Sequence, residues 1–345
     1  MRGRSVKTSA AGAAALALGL FGAVAYATEP EAARSLYPEL QFAPVESADV
    51  PLQTVFTGMV QDRDGFLWFA TLAGLLRFDG LQARQWPFPP DESGQGGPTH
   101  GQLTEAADGT LWLLSPQGPL RLPPGRGGFE RVPMPEPDAA RWLWRLQAGG
   151  DAVWLANSAG GVYRYDAAES RFVAVFQAPG GPGSTNLQPD AHVDAEGALW
   201  LVHAKQIWRV TLTGAQRLYG KDSEQTVTRS ALDPARGLIC TPWPERLNCV
   251  DAKGRLMTSA PLPKAACSYV LFDPQGRLLL NCGRDVYLLA ADGSALRRVP
   301  LAVPVDDAVE LWHMAVDSLG TVWLAGKQGL RLIDPDTGAS RLLVV

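Results

Sequence analysis

The sequence predicts an all-β protein, a seven-bladed β-propeller of four-stranded antiparallel blades. Aligning the chain on Trp68 brings Trp112, Trp154, Trp200, Cys240, Leu279 and Trp323 into one slot, at spacings of 44, 42, 46, 40, 39 and 44 residues. Inside each copy, short alternating runs are broken by turn residues every ~8–12 positions, the pattern of antiparallel strands. Four such strands in roughly 40–45 residues make one propeller blade. The 36 glycines and 27 prolines suit short strands joined by tight turns rather than long helices. A parallel solenoid is the rival architecture, but its repeats are usually shorter.

The first 27 residues are a separate object. Arg2, Arg4 and Lys7 precede an apolar stretch from about Ala10 to Val24, followed by Ala25-Tyr26-Ala27. A positive start, an apolar middle and a small-residue A-x-A site make a secretory signal peptide cleaved after Ala27. The competing reading is an uncleaved membrane anchor, for which the stretch is short and alanine-rich. Residues 28–39 form a lead-in, and the propeller occupies 40–345. The expected product is exported and soluble, in the periplasm of a host with two membranes. Two segments compete for the outer strand that closes the ring, 40–46 ("LQFAPVE") and 340–345 ("SRLLVV").

The first blade shows the grammar of each repeat: "TGMVQD", a turn, "GFLWFAT", a turn, "GLLRFD", then a weaker run at "ARQWPF". Asp62, Asp194, Asp233, Asp273 and Asp317 open the turn between first and second strands. There an aspartate caps its own turn and glycine supplies positive φ. "DRDG" at 62–65 resembles the start of a calcium loop, but the ligands needed further along are missing. A tryptophan on the second strand fills the wedge between neighbouring blades.

The run D-x-x-G-x-L-W-x-x-T-x-x-G-L-x-R-F-D resembles the two-component regulator propeller repeat. Asp62, Gly65, Leu67, Trp68, Thr71, Gly74, Leu75, Arg77, Phe78 and Asp79 match it position by position. The likeness is close in the first repeat, good in the last, and degenerate in the fifth and sixth, where Cys240 and Leu279 replace tryptophan. In that family the propeller is the exported sensor part of a larger membrane protein. Its output is a histidine kinase or a GGDEF diguanylate cyclase. The resemblance implies a ligand-sensing propeller. With neither output motif present, signalling would run through a membrane-bound kinase or cyclase partner. A propeller enzyme, lyase-like or glycan-degrading, and a protein-docking platform are the alternatives.

Net charge −4 and a pI near 5.6 give no electrostatic reason to expect nucleic-acid binding. Catalysis has thin support: there is no G-x-S-x-G elbow and no H-E-x-x-H. His100, His192, His203 and His313 lack metal-ligand spacing, and His192 reads as packed. No cofactor or metal is expected. Cys240, Cys249, Cys267 and Cys282 are an even set in an oxidising compartment. Cys240 and Cys249 are equidistant from the 244–245 turn, as Cys267 and Cys282 are from 274–275. The pairing expected is therefore 240–249 and 267–282, with bridges between blades five and six as the alternative.

Residues leading into the first strands converge at one mouth of the central channel. The aligned positions are Gln53, His100, Arg141, Trp142, Asn186, Gln188, Trp312 and His313. The turn between blade five's second and third strands adds Trp243 and Arg246. Aromatic faces, amides, imidazoles and arginines suit a small polar ligand, a sugar or a peptide. The plainer reading of Trp142, Trp243 and Trp312 is as packing residues.

Overall fold

The computed structural model describes residues 56–343 apart from 72–73, 80–81, 90–101, 116–117, 126, 137–141, 180–188, 204–205, 221–228, 244–245, 264–266, 301–310, 318 and 327–328. All of them belong to one of two compact units, Val45–Val345. The signal peptide and lead-in fall outside the described residues. No helix among those described is long and apolar enough to cross a membrane.

Among the described residues, twenty-eight strands form seven four-stranded antiparallel sheets, each from four consecutive strands, arranged as the blades of a propeller. The first strands are Phe56–Gln61, Leu103–Glu105, Trp144–Gly149, Asp190–Val193, Ala231–Asp233, Cys267–Phe272 and Leu311–Val316. From blade one to blade seven, each lies beside the first strand of the blade that follows it, so these strands line the axis. The outer strand of blade seven is Ser340–Leu343, so the C-terminal candidate fills that position. Residues 40–46 lie outside the described residues.

The wedge residues pack forwards. Trp68 meets Leu111 and Leu113 of blade two, Trp112 meets Trp144 and Leu146, and Trp154 meets Leu199 and Leu201. Trp200 packs on Ile239 and Val250, Cys240 on Leu278 and Leu280, and Leu279 on Val322 and Leu324. The core is thus a series of seams between blades. Burying a large side chain in each is worth about 1.5–3 kcal/mol.

Each turn aspartate has a full set of donors. Asp62 Oδ1 accepts from the main-chain N–H of Asp64 and Phe66 at 3.0 and 2.9 Å. Its Oδ2 accepts the buried indole N–H of Trp68 at 2.7 Å. The arrangement recurs at Asp194–Trp200 (2.8 Å) and Asp317–Trp323 (2.9 Å). Where the tryptophan is lost, an arginine takes the second oxygen: Arg236 on Asp233 and Arg277 on Asp273, the latter at 2.7 Å. The aspartate is therefore a turn latch, which is the structural reading of "DRDG".

Both expected disulfides are present, Cys240–Cys249 and Cys267–Cys282. The first joins directly opposed residues of blade five's second and third strands. The second depends on a β-bulge. Tyr269 faces Asn281, and the register shifts before Cys267 so that it faces Cys282. Both bridges lie in the seam between blades five and six, where the wedge tryptophan is missing.

Candidate functional site: the polar ring of the channel

One level of the first strands lies two residues beyond the pair that faces the wedge position. In blade one it holds Gly58, opposite Ala70; in blade two Gln102, whose carbonyl accepts from Leu114 N. Blades three and four supply Arg145, opposite Ala156, and Asp190, opposite Val202. In blade five, Ala231 faces Cys240, which puts Arg229 at this level; blades six and seven give Tyr269 and His313. The positions form a polar ring where the first strands begin.

Contacts around the ring run from blade to blade. The Gln102 amide donates to Trp144 O at 2.8 Å and accepts from Leu146 N at 2.6 Å, clasping the main chain on both sides of Arg145. Gln147, its amide oriented by the donors around it, accepts from Arg145 Nε at 2.8 Å. The Arg229 guanidinium lies 5.4 Å over the Tyr269 ring. His192, read from the sequence as packed, lies one level below Asp190 among polar partners. Its Nε2 is 2.9 Å from Ser230 Oγ and 3.3 Å from Asp190 Oδ1. Asp190 Oδ2 is buried without a partner.

Burial opposes ionisation of Asp190, but His192, Ser230 and Arg145 outweigh it and hold its pKa below the usual carboxylate value. Ser, His and Asp meet here, but a nucleophile relay needs the serine on one ring nitrogen and the carboxylate on the other. Both sit on Nε2, so the trio ties blades four and five together. Below it a cavity of about 910 Å³ opens among the first turns of blades five to seven, lined by Leu232, Asp233, Phe272, Gln275 and Val316. Among the described residues no three His, Cys, Asp or Glu side chains form a metal-holding group.

Of the residues expected at the mouth, Gln53, His100, Arg141, Asn186 and Gln188 lie outside the described residues. In sequence they precede the ring by two to five positions. His313 is a ring position, and Trp312 adjoins it on the same strand. Trp142 is half-buried against the seam between blades two and three. Trp243 is edge-on to Tyr219 at 6.0 Å, and its indole N–H is buried without a partner. Arg246 flanks the same turn but reaches along the sheet, donating to Ser259 Oγ and O at 2.8 Å each. The ring brings in Gln102, Arg145, Asp190, Arg229 and Tyr269, which sequence reasoning missed. Their signal is positional: they fall at one register level, four residues before the turn aspartate in blades four to seven.

Residues 50–73, which include the first blade's strands Phe56–Gln61 and Leu67–Thr71, match the family profile described as two component regulator propeller. The match is confined to those residues of the first blade. No curated protein sequence matches this chain significantly. Among solved structures it is similar to the extracellular domain of the hybrid two component system BT4673 from B. thetaiotaomicron. The identity is 15% and the TM-score 0.56, over 83% of this chain and 39% of that one. The corresponding domain of BT3049, from the same organism, gives 16% and 0.53, over 82% and 40%. YCF48 from Cyanidioschyzon merolae gives 12% and 0.55, over 83% and 96%. The chain spans about two fifths of the two B. thetaiotaomicron chains. At these identities the likeness is one of fold. Its two disulfides are consistent with export to an oxidising compartment.

Proposed function

We propose that this protein is an exported, non-enzymatic sensory propeller. It binds a small polar ligand, a sugar or a peptide, at the channel mouth marked by the polar ring. The observation that carries the reading is that ring, in a chain whose first blade is a regulator propeller repeat. Aromatic side chains on the neighbouring segments, Trp142 and Trp312, would stack on the ligand, and the ring would supply hydrogen bonds. Export follows from the signal peptide, with the mature chain in the periplasm. Output would rest with a membrane-bound histidine kinase or diguanylate cyclase.

Thermal-shift screening of the purified exported protein against oligosaccharides and short peptides tests this. A ligand should raise the melting temperature, and Trp142→Ala and Trp312→Ala should abolish the shift while leaving the fold intact. Binding that survives both changes would remove the ligand from this mouth. A protein that binds no sugar or peptide, yet retains a protein from its own periplasm, would be a docking platform.

A further inference from the structure

The charges of the ring are unequally served. Arg145 and Arg229 stand one blade either side of Asp190, and of the two only Arg145 acts on that carboxylate. That carboxylate is turned to its own strand, towards His192. Arg145 is met by an amide oxygen and Arg229 by an aromatic face; among the described residues neither forms an ion pair. Burial lowers the Arg145 pKa, the Asp190 charge works against that, and Arg229 adds to the lowering. The two cations therefore feel each other, and a half-buried cation short of acceptors is costly unless an anion supplies them.

We infer that the ring seats a carboxylate of the ligand between Arg145 and Arg229. The inference rests on the sensory reading above and narrows the ligand to an acidic one, a uronic acid or the C-terminus of a peptide. Guanidinium is suited to the task, because its planar fork matches a carboxylate with two parallel charge-assisted hydrogen bonds. Both forks are oriented beforehand. The Gln102 clasp fixes the strand that carries Arg145, and the Tyr269 face supports Arg229. Little ordering then remains to be done on binding. If the arginines merely tied blades together, their removal would weaken the empty protein and anions would not matter.

Calorimetric titration of the intact exported protein separates the two. The probes are D-glucuronate against D-glucose, and trialanine against trialanine amide, at constant ionic strength. In one pair the acidic member should bind at least tenfold more tightly than the neutral one, and that pair identifies the source of the carboxylate. Arg145→Gln and Arg229→Gln should each lose at least tenfold for it. The unliganded Arg229→Gln variant should melt no lower than wild type, because the change relieves the repulsion between Arg229 and Arg145. Should Arg145→Gln fail to fold, Arg229→Gln decides, since Arg229 is exposed. Equal binding of acidic and neutral members, no binding of either acid, or full affinity in the variants would overturn the proposal. A neutral sugar or peptide held through Trp142 and Trp312, indifferent to both arginines, would overturn it while leaving the sensory reading intact.

Discussion

Replacing Asp194 with alanine removes one acceptor from five donor contacts. Its Oδ1 holds the N–H groups of Glu196 and Ala198 at 3.0 and 2.9 Å. Its Oδ2 holds the Trp200 indole at 2.8 Å and Arg209 Nε and Nη2 at 2.9 and 2.8 Å. Bonds to a charged acceptor contribute ~1.5–3 kcal/mol each, and a buried donor left unmatched costs ~1–3 kcal/mol. The turn N–H groups can turn to water, and Arg209 keeps Glu196, so both are discounted. The indole of Trp200, fully buried, has no such recourse. The expected loss for Asp194→Ala is about 3–5 kcal/mol. Asp194→Asn keeps the turn but sets an amide N–H₂ against two donors, and should lose about 2–3 kcal/mol.

Acid supplies an independent check. Burial disfavours the Asp194 charge, but the indole, Ala198 N–H and Arg209 more than compensate, and the pKa lies below the ordinary carboxylate value. The folded carboxylate thus holds its proton more weakly than the unfolded one. The stabilisation is complete above the unfolded pKa, about 3.9, and is lost as pH falls through the lower folded value. The gap between wild type and Asp194→Asn should accordingly close on acidification. Urea unfolding followed by circular dichroism at neutral and acid pH measures both effects. A cost under about 1 kcal/mol for both variants, or a gap that does not depend on pH, would refute the latch.

Cys240→Ala/Cys249→Ala and Cys267→Ala/Cys282→Ala remove bridges that close loops of 9 and 15 residues, for which chain entropy gives losses of about 2.5 and 3 kcal/mol in urea unfolding. Non-reducing peptide mapping should recover both bridged pairs. Gly254→Ala should cost about 2–4 kcal/mol, measured the same way, because Gly254 has φ +79° and a Cβ would stand 2.6 Å from Leu218 O of the preceding blade. Mass spectrometry of the exported protein should find a mature N-terminus at Thr28; a membrane-bound product retaining residues 1–27 would favour the anchor.

The blade repeat was legible because one slot recurs seven times, filled by tryptophan in five blades and by Cys240 and Leu279 in the other two. A wedge between sheets needs volume, so Trp68, Trp112, Trp154, Trp200 and Trp323 recur at a nearly constant interval. The 240–249 bridge was legible because its hairpin is regular and spacing about the turn gives the register. The 267–282 bridge came out of the same counting for a less secure reason. The bulge at Ser268 brings Cys267 opposite Cys282. The ring was illegible for a related reason. Bulges in the first strands of blades one, six and seven shift the count towards the mouth. Its members also share a level but not a chemistry, since glycine, glutamine, arginine, aspartate, tyrosine and histidine occupy one slot. Sequence reasoning named His313 of the ring and otherwise marked positions two to five residues ahead of it or on other turns.

Among the described residues no sheet borrows a strand from another part of the chain. Gene duplication or loss of one blade-length segment would therefore add or delete a complete sheet and leave every other strand ladder whole. Inheritance could work in units of one blade, with the seams alone left to adjust. A seam of apolar side chains is forgiving, because volumes can be exchanged across it, as Cys240 and Leu279 already show for tryptophan. The inner ring is not. Gln102 clasps a main chain and Arg229 a particular tyrosine in the next blade, so an inserted neighbour would break a specific contact. In such a history the outer parts of the protein can drift in number and packing, while the axis keeps the record of which blade followed which.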